Sequence, residues 1–314
     1  MEELADFLKE CNKGKSVIPS LPKGLYSPFE FKEEYFLDLP EEEKKNVLFV
    51  DGGNTELIST PNTSVHFVRI IAVNFLGKKR QETKKIEAYV AARAIDDNSY
   101  EVQVFPLIDY SFPKLIFSTN DKTMKIGTNR VQISQIPGVI RRFMELKAAT
   151  DFSRNAEIIV LDGNLEETFT HENSFFNKLF EKQIPVIGFA KTCSLLMNKG
   201  DSLIQFIRNK TNKKSFLYYP VAKGKQHTIS VAKLHKLSNY AFRIDLSCKK
   251  EVIGALLPLC NDAEIPGYPY GLIYADRMAR VTNQEKEYLK IKLSTILDKE
   301  TKNAIKSLDF HSIL

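Results

Sequence analysis

The chain has 314 residues, a formal net charge of +6 and 43% hydrophobic residues. That composition excludes a chain disordered over most of its length. The longest near-unbroken apolar run, residues 252–260, is too short to span a bilayer. Four cysteines (Cys11, Cys193, Cys248, Cys260) form no CxxC pair, which argues against a disulfide scaffold and a Cys₄ zinc site and fits a reducing, cytoplasmic setting. The acidic start Met1-Glu2-Glu3-Leu4 does not read as a secretory signal.

Taken in chain order, residues 1–45 read as an acidic leader broken by Pro19, Pro22, Pro28 and Pro40, with a short helix expected over 4–11. A core is expected over 46–198. It opens on the apolar run Val47-Leu48-Phe49-Val50, ended by Asp51-Gly52-Gly53, which reads as a buried strand feeding a tight turn. Strands are expected over 65–76, 86–95 and 100–108, the last two joined by the turn-forming Asp96-Asp97-Asn98-Ser99. Apolar residues at 3–4 spacing predict a helix over 136–149. Residues 157–163 repeat the first theme, an apolar strand ending in Asp162-Gly163. A helix over 173–183 and a buried strand over 185–191 follow.

Residues 199–250 form a basic, β-rich segment with strands over 216–221, 228–234 and 241–246. It holds 12 basic and 2 acidic side chains, whereas residues 1–50 hold 7 and 11, so one stretch carries more than the whole positive excess. Such asymmetry points to a polyanion, although a basic run also reads as a solvated face. C-terminal helices, expected over 249–259 and 272–299, complete the core. Three antiparallel strands followed by αβ units added in parallel beside the first give an α/β mixed sheet in the strand order of the ribonuclease H fold.

Asp51 and Asp162 stand at the carboxyl ends of two apolar strands, where sites of open α/β sheets gather. Two close carboxylates repel each other, and a divalent cation removes the conflict; oxygen ligands suit Mg²⁺ or Mn²⁺. Each Asp-Gly also reads as a simple strand-ending turn. Asp276 shares a helical face with Leu272, Ala275 and Ala279, where a charge needs a partner: Arg277, Arg280 or a metal. Lys191 could hold a phosphate or snorkel from the surface, and Tyr274 could contact nucleic acid or be partly buried. His171, His227 and His235 lack metal-ligand spacing and read as structural.

Asp51-Gly52-Gly53, Asp162-Gly163-Asn164-Leu165, Gly188-Phe189-Ala190-Lys191-Thr192 and the stretch from Gly267-Tyr268-Pro269 to Ala275-Asp276-Arg277, in that order, resemble the NurA nucleases over about residues 47–282. The resemblance implies a ribonuclease H-like core and a Mn²⁺-dependent (or Mg²⁺-dependent) nuclease that degrades DNA 5′ to 3′ and cuts single strands. It also implies a homodimer, and a HerA-type hexameric ATPase as partner in resecting double-strand breaks. It carries metal ligation onto Asp51, Glu145, Asp162 and Asp276, the last standing where some members have His. A role for imidazole as proton carrier would be lost there. On a helical wheel, Glu145 lies nearly opposite the Val139-Ile140-Phe143 stripe, so it is expected to point away from Asp51; Glu157 and Glu56 are the alternatives.

Two rival readings remain at this point. Residues 48–56 resemble the phosphate loop of actin-like sugar kinases, although Asp162-Gly163-Asn164-Leu165-Glu166-Glu167 is a poor second phosphate cradle. A non-catalytic DNA-binding subunit that keeps the fold is the other.

Overall fold

The computed structural model of the chain describes residues 3–4, 16–22, 24–300 and 302–303. Most of the helix expected over 4–11 lies outside the described residues. The organising element is one large sheet. Its first half is a meander of long antiparallel strands: β1 (Asn46–Ser59), β2 (Thr63–Leu76), β3 (Lys79–Ala94), β4 (Ser99–Pro106) and β5 (Leu115–Ser118). On the other side of β1 the chain adds β6 (Ile158–Asp162) and β7 (Val186–Ala190), both parallel to it. The central order β3-β2-β1-β6-β7, with only β2 reversed, is that of the ribonuclease H fold.

The basic segment continues the same sheet. Its strands β8 (Phe216–Lys223), β9 (Thr228–Lys233) and β10 (Phe242–Leu246) form an antiparallel meander that joins the core where β10 pairs with β7. The leader is tied to its outer edge, Ser27–Pro28 and Phe36–Leu37 both pairing with β8.

Strand alternation decides what covers each face. Leu48 and Val50 of β1 point to one face, where they pack with Ile70 and with Phe143 of α1 (Ile136–Asp151) and Phe176 of α2 (Glu172–Phe180). Val47 and Phe49 point to the other, against Leu272 and Ala275 of α4 (Tyr270–Ala279). The small helix α3 (Leu203–Asn209) and the aromatic residues Phe216 and Tyr218 form a third cluster under the leader.

Three expectations need correction. Gly52 and Gly53 form no turn: β1 runs through them, opposite Ile70 and Arg69, and the hairpin comes later, where Thr60 and Thr63 bond. These glycines serve close packing instead. A Cβ on Gly53 would lie 2.3 Å from the Ala279 carbonyl oxygen, and one on Gly52 would lie 2.7 Å from Glu145 Oε1. The long C-terminal helix is two helices, α4 and α5 (Asn283–Ile296), because Thr282 caps the second by accepting the Glu285 N–H at 3.2 Å. Residues 249–259 wind as short 3₁₀ turns, Lys250–Ala255 and Leu257–Leu259, rather than one α-helix.

Gly271 sets how near α4 approaches β1. A Cβ there would meet the Phe49 ring at 2.2 Å, and Phe49 is fully buried. Gly271→Ala should therefore be destabilising despite a helix-propensity gain of about 1 kcal/mol, because overpacking of such a core contact costs typically about 1–3 kcal/mol. A melting temperature equal to or above that of the unchanged protein would show that α4 has room to move away.

Candidate active site

The parallel register builds the site. Val50 lies opposite Leu161, so Asp51 and Asp162 follow side by side on neighbouring strands; Phe189 lies opposite Asp162, and Lys191 comes just beyond the end of β7. All three line a cleft of about 810 Å³ at the carboxyl edge of the parallel strands, together with Arg141, Arg142 and Glu145 from α1.

Asp51 is buried and accepts the N–H of Gly52 at 2.7 Å. Burial first, and then the negative charges of Glu145 and Asp162, push its carboxyl up to about 8. Lys191 offsets part of this. Its ammonium donates to Asp162 Oδ2 at 2.9 Å and stands 3.6 Å from Asp276 Oδ1. Burial alone would lower the Lys191 pKa, but the Asp162 hydrogen bond and the charges of Asp162, Asp51 and Asp276 outweigh it and raise it. Asp276 also pairs with Arg280 at 3.3 Å, so its position on an apolar helix face is explained by two cations.

Glu145 is where the helical wheel misleads. It is buried, not turned to solvent. The helix α1 is enclosed on nearly every side, so its apolar stripe does not mark the only inward face. The absent side chain at Gly52 opens the space into which the Glu145 carboxylate fits, next to Asp51. Arg141 forms an ion pair with it, and Arg142 stands 3.9 Å away. Burial raises the Glu145 pKa, while the two arginines pull it down. The alternatives lie elsewhere: Glu56 faces His66 at 3.6 Å, and Glu157 bonds the N–H of Asn46 at 2.8 Å, at the opposite end of β1.

Tyr274 is also placed apart. Its hydroxyl accepts a hydrogen bond from Arg80, whose guanidinium lies 4.9 Å over the ring, and Phe75 packs against it. Phe75 is opposite Val47, one end of β1 away from Asp51. The tyrosine at the carboxylates is Tyr268, which donates to Asp162 Oδ1 at 3.4 Å and lies 5.5 Å under the Lys191 ammonium. Burial, then the charges of Asp162 and Asp51, raise its pKa strongly. Sequence reasoning missed Tyr268, Arg141 and Arg142 as site residues. The available signal was an Arg-Arg pair inside an apolar helix, where two cations demand partners.

Arg142 fixes the chain just after β6, donating to the carbonyls of Asn164 at 2.7 Å and Asp162 at 3.4 Å. Among the described residues, no three acidic, His or Cys side chains lie close enough together to form a ready metal cage. In this arrangement Lys191, Arg141 and Arg142 neutralise the acids. The donor chemistry nonetheless fits a hard divalent cation, since Asp51, Asp162 and Glu145 offer only oxygens and Asp51 is costly to ionise without an added positive charge.

No protein-family model matches the chain, and no curated protein matches it by sequence. Solved structures do match its fold. A structure of NurA bound to dAMP and manganese aligns with a TM-score of 0.57 at 8% identity, covering 85% of this chain and 91% of that one. A structure of NurA alone gives 0.55 at 9% identity, covering 95% and 96%. A NurA structure with manganese gives 0.54 at 8%, covering 85% and 92%. The chain therefore has a NurA-like fold, a mixed α/β sheet flanked by helices. No helix among the described residues is long and apolar enough to cross a membrane.

Proposed function

We propose that this chain is a metal-dependent deoxyribonuclease that hydrolyses phosphodiester bonds in DNA end processing. The observation that carries this reading is the side-by-side placement of Asp51 and Asp162 on adjacent parallel strands, with Glu145 admitted beside them by Gly52. Nearness in fold to a NurA structure that binds dAMP and manganese supports it. Asp51, Asp162 and Glu145 would hold Mn²⁺ or Mg²⁺, with Asp276 at the outer side. The chemistry supplied by such an ion is activation of water and neutralisation of charge on the phosphate. Lys191 donates to the phosphate once its carboxylates are otherwise neutralised, and Tyr268 orients Asp162. Tyr274 has no part in this mechanism.

The resemblance to NurA nucleases supports finer proposals: 5′ to 3′ digestion, endonucleolytic cutting of single strands, a homodimer, a HerA-type ATPase partner and a cytoplasmic location. The division of the chain into an acidic leader, a core, a basic segment and closing helices is part of the same reading. The kinase alternative is not favoured, because Asp51-Gly52-Gly53 continues β1 in register with β2 and forms no loop.

End-labelled linear duplex and single-stranded DNA should be degraded with Mn²⁺ and left intact with EDTA, and Asp162→Ala should remove the activity. Mn²⁺ should also raise the melting temperature of the unchanged protein and not that of Asp162→Ala. Intact DNA under all metal conditions, with no thermal shift, would favour the non-catalytic DNA-binding subunit.

A further inference from the structure

A second groove, of about 480 Å³, shares no lining residue with the carboxylate cleft. One wall is α3, which presents Gln205, Arg208 and Asn209; the other is the loop between β9 and β10, which presents Asn239 and Tyr240. No acidic side chain lines it among the described residues. Arg208 is the charged residue of the lining.

Tyr240 is 65% exposed. The buried Ser238 hydroxyl accepts the Tyr240 N–H and donates to the Tyr240 carbonyl, both at 3.0 Å. Ser238 in turn packs against Gly267, where φ is +89° and an added Cβ would come within 3.2 Å of the serine side chain. The main chain of Tyr240 is thus tied in place while its ring stands out on the protein surface. It is also connected to the carboxylates: Tyr240 lies 6.5 Å from the Phe242 ring, Phe242 lies 5.6 Å from Tyr268, and Tyr268 bonds Asp162.

We propose that this groove is a subsite for single-stranded DNA, in which a nucleobase stacks on Tyr240 and its phosphate pairs with Arg208, a few nucleotides from the carboxylates. The proposal rests on the nuclease reading for its substrate. An exposed aromatic ring beside an arginine and amide donors is what sequence-tolerant recognition of an unpaired base requires, since every base has a stacking face. Duplex DNA keeps its bases stacked on one another and gains nothing from Tyr240.

The test is fluorescence anisotropy of the full chain in EDTA, with a short oligothymidine, an abasic strand of the same length and a blunt duplex. Tyr240→Ala should weaken oligothymidine binding about ten-fold or more, and Tyr240→Phe should bind as the unchanged protein does. Abasic strand and duplex should not distinguish Tyr240→Ala from the unchanged protein. Equal oligothymidine affinity of Tyr240→Ala and the unchanged protein would overturn the subsite, as would an equal loss on the abasic strand. The two readings fail separately. Cleavage with Mn²⁺ but no effect of Tyr240→Ala sinks only the subsite; Tyr240-dependent binding of bases without cleavage sinks only the nuclease.

Discussion

Asp51→Asn is expected to abolish cleavage and, at the same time, to make the metal-free protein more stable at pH 8. The carboxyl of Asp51 is held near 8 in the folded chain, against an ordinary value of 3.8. A group whose folded pKa is raised contributes stability that is complete below the unfolded pKa and is lost as pH rises through the folded one. Asp51 therefore weighs against folding progressively from about pH 4 to pH 8. Asparagine has nearly the same shape and never ionises, so it escapes that loss. Each tenfold change in proton affinity between the folded and unfolded chain is worth about 1.4 kcal/mol, and relaxation around the charge takes back part of it, so a stabilisation of roughly 2–5 kcal/mol is expected at pH 8. The melting temperatures of the two proteins should coincide near pH 4 and separate steadily above it. Mn²⁺ should close the gap by stabilising the unchanged protein alone. Coincident melting curves at pH 8 would mean that Asp51 carries no electrostatic penalty, and the argument for a cation beside it would fall.

That conflict of charges was legible in the sequence as two Asp-Gly strand ends, and so was the sheet order that joins them. Buried strands declare themselves by continuous apolar runs, and a parallel pair puts their ends together. Other parts of the site were hidden for definite reasons. Glu145 could be placed by resemblance but not by a helical wheel, because a wheel assumes one buried face and α1 has several. Gly52 and Gly53 looked like a turn; their role is to admit Glu145 on one side of the sheet and Ala279 on the other, which only the packing reveals. Tyr268 and Tyr274 lie within one short stretch, and nothing in its pattern shows which ring faces Asp162. The basic segment shows a related limit. Arg243 counts toward its positive charge, yet it is buried and bonded to Asp245 at 2.8 Å and to Glu166 at 2.6 Å. Net charge counts such a residue as available to DNA when it is already spoken for.

Arg141→Leu should be among the most destabilising single changes at this site. Arg141 pairs with the buried Glu145 and donates to the Gly52 carbonyl at 2.8 Å, so it binds α1 to β1 at the position next to Asp51. Without it, Glu145 keeps only Arg142 at 3.9 Å, and Arg142 is already shared with Glu172 at 3.3 Å and with two carbonyls. Breaking one side of a buried pair typically costs about 3–5 kcal/mol, because the remaining charge has no compensation. The penalty should appear in urea unfolding as a lower midpoint with an unchanged slope. It should shrink at low pH, where Glu145 can take up a proton, since its pKa is already raised by burial and loses a stabilising cation in the variant. Adding Glu145→Leu should restore most of the lost stability, because an apolar pair of similar volume removes the buried charge altogether. It should not restore cleavage, which needs the carboxylate. A loss in Arg141→Leu that is small and independent of pH would show that Glu145 is not held as a buried anion, and its place in the metal site would have to be given up.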